Sequence, residues 1–356
     1  MSRRRPLLLL LAVLAAVAVA ACSSDASTRG AQNDAADDGG GTTTTAAPVD
    51  PATEIPEGTT LRVGDQLEYL QTVLGLAGED EGFPYEVEYS AFIGGPPMLQ
   101  AFQGGSLDTG FIGTTPLIFA QAQNQGIRAV AAWATPSSSY GLVTAPDVDD
   151  ISDWADLEGR KVAFQQGTAG EAALLQALDD AGLTLDDVTP VNVPVTETSA
   201  ALQSGSADAG VLVEPLTSVY LGANPDGEKV AVPNELTDRS SFLIATDEAL
   251  DDPAVSAALG DYLARLVRAF AYLADHPEDV AQAVYVDQYG LTAERAAEVQ
   301  DEVGSPEFYD LPGDIVEPQQ RLADLFQAQG EIPDQLDVAE EFDSRYNALV
   351  REAAGR

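Results

Sequence analysis

Strand and helix patterns of apolar residues follow one another along the chain from residue 58 onward. Residues 60–64 and 85–89 have the spacing typical of short strands, whereas residues 67–75 and 169–181 repeat their apolar positions with a helical period. The strands are mainly apolar and are separated by helices. This alternation predicts an α/β fold in which sheets are flanked by helices.

Two segments about a hundred residues apart share one pattern, a spacing too long for a solenoid repeat. Residues 101–110 have the sequence Ala-Phe-Gln-Gly-Gly-Ser-Leu-Asp-Thr-Gly, and residues 201–210 have Ala-Leu-Gln-Ser-Gly-Ser-Ala-Asp-Ala-Gly. Each passes from a helix end through a glycine turn into an apolar strand, and then into a loop that ends in proline, at Pro116 and Pro215. The repetition predicts two similar lobes with a small-ligand cleft between them.

Loops that lead into helix N-termini recur in both predicted lobes. Thr115–Pro116 has the pattern of an N-cap followed by the first helical residue, and Thr168 with Glu171 has that of a capping box. Unpaired amides at the positive end of a helix bind anions without a lysine. The recurring loops are 94–97, 113–116, 166–169, 196–198 and 214–215. Their symmetric placement favours an anion-binding cleft over a set of helices that are simply capped.

The N-terminus has the pattern of a bacterial lipoprotein signal. Three arginines at 3–5 precede an apolar run at 7–21, which ends in Val-Ala-Ala before Cys22. We therefore expect a signal peptide at 1–21, lipidation of Cys22, and an anchor on the extracytoplasmic face of the cell membrane. An ordinary signal peptide or an uncleaved anchor remains the alternative. Cys22 is the only cysteine, so no internal disulfide can form.

Residues 22–57 are expected to form a disordered tether, because they have almost no large apolar side chains to bury. The remaining body, 58–356, is long enough for two lobes. The predicted boundaries assign 58–143 and 243–356 to lobe 1 and 144–242 to lobe 2.

The charge is strongly negative. Removal of the signal takes away three arginines, which leaves 14 basic against 58 acidic residues and a net charge of −44. Such a surface argues against nucleic acid and anionic membrane as partners. Because the acids are scattered along the chain, adaptation to salt or genome bias would also account for them.

The chain has few of the side chains that most often serve in catalysis and metal binding. His276 is the only histidine and Cys22 the only cysteine, so Ser–His and Cys–His mechanisms and most metal sites are disfavoured. There is no P-loop or dinucleotide fingerprint. A pair of carboxylates stays open as a catalytic possibility, but the sequence predicts a protein that is not an enzyme and has no cofactor or metal.

Several ordered motifs resemble those of the substrate-binding proteins of ABC importers for aliphatic sulfonates, within the nitrate, sulfonate and taurine group. The motifs that carry the resemblance are Gly95–Pro116, Asp156–Ala163, Gln165–Ala169, Gln319–Phe326 and Ile332–Pro333. The resemblance implies a type II periplasmic-binding-protein fold, in which two lobes are joined by two crossover strands. It also implies a monomer that closes on one small ligand and delivers it to a membrane permease and its ATPase.

The resemblance also implies a set of ligand-binding residues. Gln66, Thr114 and Thr115 would donate hydrogen bonds, and an amide at Ala169 is a further candidate. The full set is Gln66, Gly95, Pro96, Thr114, Thr115, Gly167, Thr168, Ala169, Glu197 and Glu214.

The sequence departs from the family pattern at residues 213–215, where Val-Glu-Pro stands in place of Trp-Asp-Pro. Glu214 would cap a helix or pair with the ammonium group of a zwitterion such as taurine. The ligand therefore stays open among an aliphatic sulfonate, taurine, nitrate and a pyrimidine or thiamine precursor. A sensor lipoprotein and an enzyme on the same fold are the remaining alternatives.

Overall fold

The computed structural model describes residues 54–137, 139–231 and 239–356. Two mixed sheets are flanked by helices, which confirms the predicted fold class. The predicted signal peptide, Cys22 and most of the tether lie outside the described residues. At the end of the expected tether, Ile55 already packs against the core of the first sheet, so ordered structure begins before residue 58.

The first sheet has six strands, namely β1 (Thr60–Gln66), β2 (Glu86–Phe92), β3 (Thr109–Gly113), β4 (Ile127–Ala134), β10 (Ser240–Thr246) and β11 (Glu307–Tyr309). Their order in the sheet is β11-β4-β10-β3-β1-β2. Strands β1, β2 and β3 are parallel, whereas β10 is antiparallel to β3 and β4, and β11 is antiparallel to β4. Because β1–β3 are parallel, their carboxyl ends meet at one edge, where ligands bind in open α/β sheets.

Helices cover both faces of this sheet. The helices are α1 (Tyr69–Ala77), α2 (Gly95–Gln103), α3 (Thr114–Ala122), α7 (Asp247–Asp251), α8 (Pro253–Asp275), α9 (Pro277–Val280), α10 (Ala293–Val303), α11 (Val316–Ala328) and α12 (Asn347–Ala353). The long α8 is amphipathic and packs its apolar side on α1 and on the sheet. A π-helical segment, Ala281–Gln288, continues α9, and short 3-10 helices occur at Gly313–Ile315 and Val338–Glu341.

The second sheet has five strands, namely β5 (Tyr140–Thr144), β6 (Lys161–Phe164), β7 (Thr189–Asn192), β8 (Ala209–Val213) and β9 (Lys229–Ala231). Their order in the sheet is β7-β6-β8-β5-β9. The sheet repeats the mixed arrangement, since β6 is parallel to β7 and β8 whereas β5 is antiparallel to β8 and β9. Its helices are α4 (Ala169–Asp180), α5 (Val195–Gln203) and α6 (Leu216–Ala223), with 3-10 turns at Trp154–Leu157 and Leu185–Asp187.

The boundary between the two sheets differs from the predicted one. Strand β5 pairs only with β8 and β9 of the second sheet, so the first crossing lies between β4 and β5 and not at 143/144. Strand β10 pairs with β3 and β4, which places residues 240–242 with the first sheet. Hydrophobic runs at 129–133 and 140–144 look alike in sequence, and only their pairing shows which sheet each one joins.

An apolar cluster joins the two lobes through α3, α4 and α11. Ile118 of α3, Leu175 of α4 and Phe326 of α11 are all buried in it. Helix α11 therefore packs against both lobes, although it follows β11 of the first sheet along the chain.

Candidate ligand-binding cleft

A cleft of about 340 Å³ lies between the carboxyl ends of the two sheets. The first sheet contributes the ends of β1 and β3, the loop after β2, and residues of β4 and β10. The lining residues from this lobe are Gln66, Leu67, Ile93, Gly94, Gly95, Phe111, Gly113, Pro116, Trp133, Ser240, Ser241 and Tyr289.

The opposite wall comes from the second sheet and from the chain segments that connect the sheets. The residues of the second lobe are Tyr140, Gln165, Thr168, Ala169, Gly170, Val195, Thr196, Val211, Val213 and Leu216. The connecting segments add Thr135, Ser139 and Arg239. The backbone N–H of Thr135 donates to the carbonyl of Arg239 at 3.3 Å, so these two segments run side by side at the cleft.

Helices α2, α3, α4 and α5 all begin at the cleft, two from each lobe. Their N-cap residues are Gly94, Gly113, Thr168 and Pro194, and none of these four caps its helix with a side-chain hydrogen bond. The positive ends of four helix dipoles therefore converge at the cleft, where the N–H of Val195 in α5 is already bonded to Gln165 and Pro96, Pro97 and Pro116 have no N–H. Such an arrangement suits a small anion. That an anion binds here stays a prediction.

The start of α2 packs directly on α3. A Cβ atom at residue 95 would lie 2.4 Å from Cγ of Pro116, so only glycine permits this approach. The Gly-Gly-Pro-Pro segment thus serves to bring two helix N-termini close together at one wall of the cleft.

The loop before α4 is held by hydrogen bonds within the second lobe. Gln165 accepts from the backbone N–H of Val195 at 2.9 Å, and the hydroxyl of Thr168 donates to the carbonyl of Gln165 at 2.6 Å. The predicted capping box is therefore wrong, because the Thr168 hydroxyl turns back into its own loop. Glu171 instead accepts from the backbone N–H of Gly167 at 2.8 Å. Burial raises the pKa of the Glu171 carboxyl to about 7.

Four of the expected binding residues line the cleft, namely Gln66, Gly95, Thr168 and Ala169. The side chain of Gln66 is already engaged, since its Nε2 donates to the carbonyl of Phe111 at 2.7 Å. One of its two amide hydrogens remains for other acceptors. That these four residues contact ligand stays a prediction.

Pro96 and Gly167 line a neighbouring groove and not the cleft itself. They meet across the lobes, since a Cβ atom on Gly167 would lie 3.3 Å from Cγ of Pro96. Gly167 has a φ of 75°, the left-handed region that glycine adopts readily.

Thr114 and Thr115 are placed behind the cleft. Helix α3 begins at Thr114 with Gly113 as its N-cap, so the predicted N-cap at Thr115 is wrong. Both threonines are buried inside the first turn. The carbonyl of Thr114 accepts from Nε2 of Gln319 at 3.2 Å. Gly113 and Pro116 face the cleft in their place.

The two expected acidic binding residues do not line the cleft. Glu197 is exposed in the first turn of α5. Glu214 is buried, and its Oε2 accepts from both the backbone N–H of Ser218 at 3.2 Å and the Ser218 hydroxyl at 2.7 Å. This is the geometry of the helix-capping alternative that the sequence offered for Glu214. Val213, the preceding residue, does line the cleft.

Sequence reasoning missed the aromatic walls and the positive charge of the cleft. Phe111, Trp133, Tyr140 and Tyr289 line it, and so does Arg239. Arg239 stands out only as one of 17 basic residues in an acidic chain. Its place at the cleft depends on how the chain crosses between the lobes.

Arg239 is the one charged residue among the described residues that line the cleft. Its guanidinium donates to the carbonyl of Pro136 on the neighbouring connecting segment. In a chain with 58 acidic residues, a wall that contains one arginine and no described carboxylate favours a ligand with a single negative charge.

Within the described residues, no group of three or more His, Cys, Asp and Glu side chains is arranged to hold a metal ion. No helix in the same part of the chain has the length and apolar character needed to cross a membrane.

Comparison with known families gives a match to the NMT1/THI5-like family model over residues 87–280. A relative from Escherichia coli K12, named for binding aliphatic sulfonates, is 29% identical over 282 residues, which cover 78% of this chain and 86% of the relative.

Two solved structures are similar over nearly all of the described chain. The periplasmic aliphatic sulphonate-binding protein SsuA of Escherichia coli is 26% identical, with a TM-score of 0.68, and the match covers 81% of this chain and 92% of that one. The alkanesulfonate-binding protein SsuA of Xanthomonas axonopodis pv. citri, solved with MOPS bound, is 25% identical, with a TM-score of 0.71 and coverage of 82% and 99%.

Proposed function

We propose that this chain, which belongs to the NMT1/THI5-like family, is the extracytoplasmic binding protein of an ABC importer for an organic sulfonate. The observation that carries the proposal is the cleft, where Arg239 and four helix N-termini face a space with no described carboxylate. The relatives named for sulfonate binding support the same ligand class.

Binding would work by electrostatic complementarity without covalent chemistry. The sulfonate oxygens would accept from those first-turn amides of the four helices that are not already bonded, with Arg239 supplying the positive charge. Pro96, Pro97 and Pro116 have no N–H to donate, and the N–H of Val195 already donates to Gln165. Each helix end contributes about 0.3–1 kcal/mol, so several must act together to reach micromolar affinity, about −8 kcal/mol. Closure of the lobes would bring these groups onto one anion.

The finer proposal is that the chain acts as a monomeric lipoprotein. Cleavage before Cys22 and acylation of its thiol would tether the body outside the cell membrane, from where it delivers ligand to a permease and its ATPase. Mass spectrometry of the native chain from the membrane fraction should then find Cys22 as the N-terminal residue, with acyl chains attached to it. An unacylated Cys22, or a chain that keeps residues 1–21, would contradict the lipid anchor.

Ligand binding is tested by thermal unfolding with a panel of anions. Methanesulfonate, longer alkanesulfonates, arenesulfonates, nitrate and taurine would be added up to millimolar concentration. A ligand at 100 times its Kd stabilises the folded state by about 2.7 kcal/mol, so a specific sulfonate should raise the Tm progressively with concentration. If no sulfonate raises the Tm, the proposed function is overturned.

A further inference from the structure

We propose that the cleft selects sulfonates with a bulky, uncharged, apolar body, and that short or zwitterionic sulfonates are poor ligands. This inference rests on the proposed function and adds the nature of the organic part of the ligand. It is carried by the side chains that surround the anion-binding groups.

The walls of the cleft are unusually apolar for a site that would bind an anion. Phe111, Trp133, Tyr140 and Tyr289 contribute aromatic surface, and Val211 and Val213 line the wall of the second lobe. Small-molecule pockets use such walls to bury the body of the ligand, while a few polar groups hold its orientation. A methyl or aminoethyl group would leave most of this surface in contact with water.

The mouth of the cleft carries apolar side chains that are open to solvent. Leu67 is 36% exposed and Ile93 is 49% exposed, and both line the cleft. Together with Val219, they are the exposed large hydrophobic residues of the described chain. Exposed apolar surface grouped at a cavity marks a binding surface, because a ligand that covers it removes that surface from water.

The backbone at Leu67 supports the same conclusion. Its φ is 56°, in the left-handed region that leucine rarely adopts. Two hydrogen bonds hold this conformation. The N–H of Leu67 donates to the carbonyl of Phe92 at 3.1 Å, and the carbonyl of Leu67 accepts from Nε2 of Gln288 at 3.2 Å. Such conformations cluster at ligand contacts. Here it coincides with a leucine side chain at the mouth.

The charges of the cleft disfavour a cationic substituent on the ligand. Arg239 is the only charged residue among the described lining, and Glu214 uses its carboxylate on Ser218 behind the wall. An ammonium group inside the cleft would lose its hydration without meeting a described counter-charge. Taurine is therefore disfavoured relative to an uncharged sulfonate of similar length.

The size of the cleft agrees with a ring-sized ligand body. Its volume of about 340 Å³ falls in the range of roughly 300–1,000 Å³ that accommodates drug-sized molecules. Aromatic side chains form offset or edge-to-face contacts with aromatic ligands, so an arene is the most direct probe.

The test is isothermal titration of the protein with four probes, namely naphthalene-2-sulfonate, methanesulfonate, taurine and the uncharged naphthalene-2-sulfonamide. We expect naphthalene-2-sulfonate to bind about 100-fold more tightly than methanesulfonate, because each buried methylene-sized group adds a factor of a few. Taurine and the sulfonamide should bind more weakly than naphthalene-2-sulfonate.

The Ile93→Ser variant should reduce the preference for naphthalene-2-sulfonate over methanesulfonate by about tenfold, and Ile93→Leu should retain it. Val219→Ser is the matched control, because Val219 is 38% exposed but does not line the cleft. It should leave the preference unchanged.

The outcomes separate the two proposals. If methanesulfonate or taurine binds as tightly as naphthalene-2-sulfonate, the apolar-body inference is overturned while sulfonate binding stands. If the sulfonamide binds as tightly as the sulfonate, the requirement for an anion is overturned. If none of the sulfonates binds, both proposals are overturned.

Discussion

Lys229 Nζ lies 2.6 Å from Oε1 of Glu302, and this ion pair joins the two lobes. Lys229 is on β9 of the second sheet, whereas Glu302 is on α10, whose apolar side packs with the core of the first sheet. Beside it, Nε of Arg295 donates to the hydroxyl of Ser218 at 3.0 Å. The helix cap at Glu214 is therefore part of a polar contact between the lobes.

We predict that the Glu302→Gln variant binds ligand about two- to fivefold more weakly. Under the proposed closure of the lobes on the ligand, loss of the ion pair removes a contact between them, and a partly exposed pair is worth about 0.2–1 kcal/mol. Isothermal titration gives the affinity, and small-angle scattering gives the compactness of the protein with and without ligand.

The matched control for this prediction is Glu317→Gln. Glu317 pairs with Arg321 at 2.7 Å within α11, so this pair does not cross between the lobes. An equal loss of affinity in both variants would contradict a specific role for the pair at the interface.

The Arg239→Gln variant should bind every sulfonate about 10- to 100-fold more weakly. A hydrogen bond to a charged group contributes about 1.5–3 kcal/mol, and no other described residue of the lining carries a charge. Arg239→Lys should lose less, since it retains the charge but not the forked donor geometry. Full affinity in Arg239→Gln, measured by titration, would show that the anion is held by the amides alone.

Replacement of Leu67 by asparagine should stabilise the fold and weaken binding. Asparagine tolerates the left-handed conformation better than leucine, so we expect a gain of about 0.5–1 kcal/mol in unfolding free energy. The affinity for naphthalene-2-sulfonate should fall, because an apolar contact at the mouth is removed. Chemical denaturation and titration measure the two effects.

Glu68→Asn is the control for this trade-off, because Glu68 is also left-handed, with a φ of 59°, but does not line the cleft. It should give a similar stabilisation with unchanged affinity. A loss of affinity in both variants would mean that the loop conformation matters and the leucine side chain does not.

The fold was predictable from sequence because apolar periodicity depends on local chain geometry. The pairing of β5 with the second sheet was not, since it depends on which distant strand offers a free edge. In the cleft, too, the residues placed by local sequence patterns could be predicted, whereas those placed by contacts between distant segments could not. The loops at Gly95 and Thr168 were found from their helix-start patterns, but a shift of two residues in the start of α3 turned Thr115 inward. No helix-start pattern marks Arg239, because it lies on a segment that connects the two sheets and reaches the cleft only through the way the chain crosses between them.

Glu171 should make stability fall as pH rises from about 4.5 to about 7. The ordinary pKa of 4.5 is raised to about 7 in the folded state, chiefly because burial disfavours the charged carboxylate, with nearby Glu331 adding to the effect. In this window the folded state binds more protons than the unfolded state, so ionisation lowers the free energy of unfolding by about 3 kcal/mol by pH 8.

The Glu171→Gln variant tests this, because its side chain can still accept from the N–H of Gly167 but cannot ionise. It should match the native protein at pH 4 and be more stable by about 3 kcal/mol at pH 8, as measured by chemical denaturation. A gain in Glu171→Gln that is the same at every pH would mean that the carboxyl does not titrate in this window.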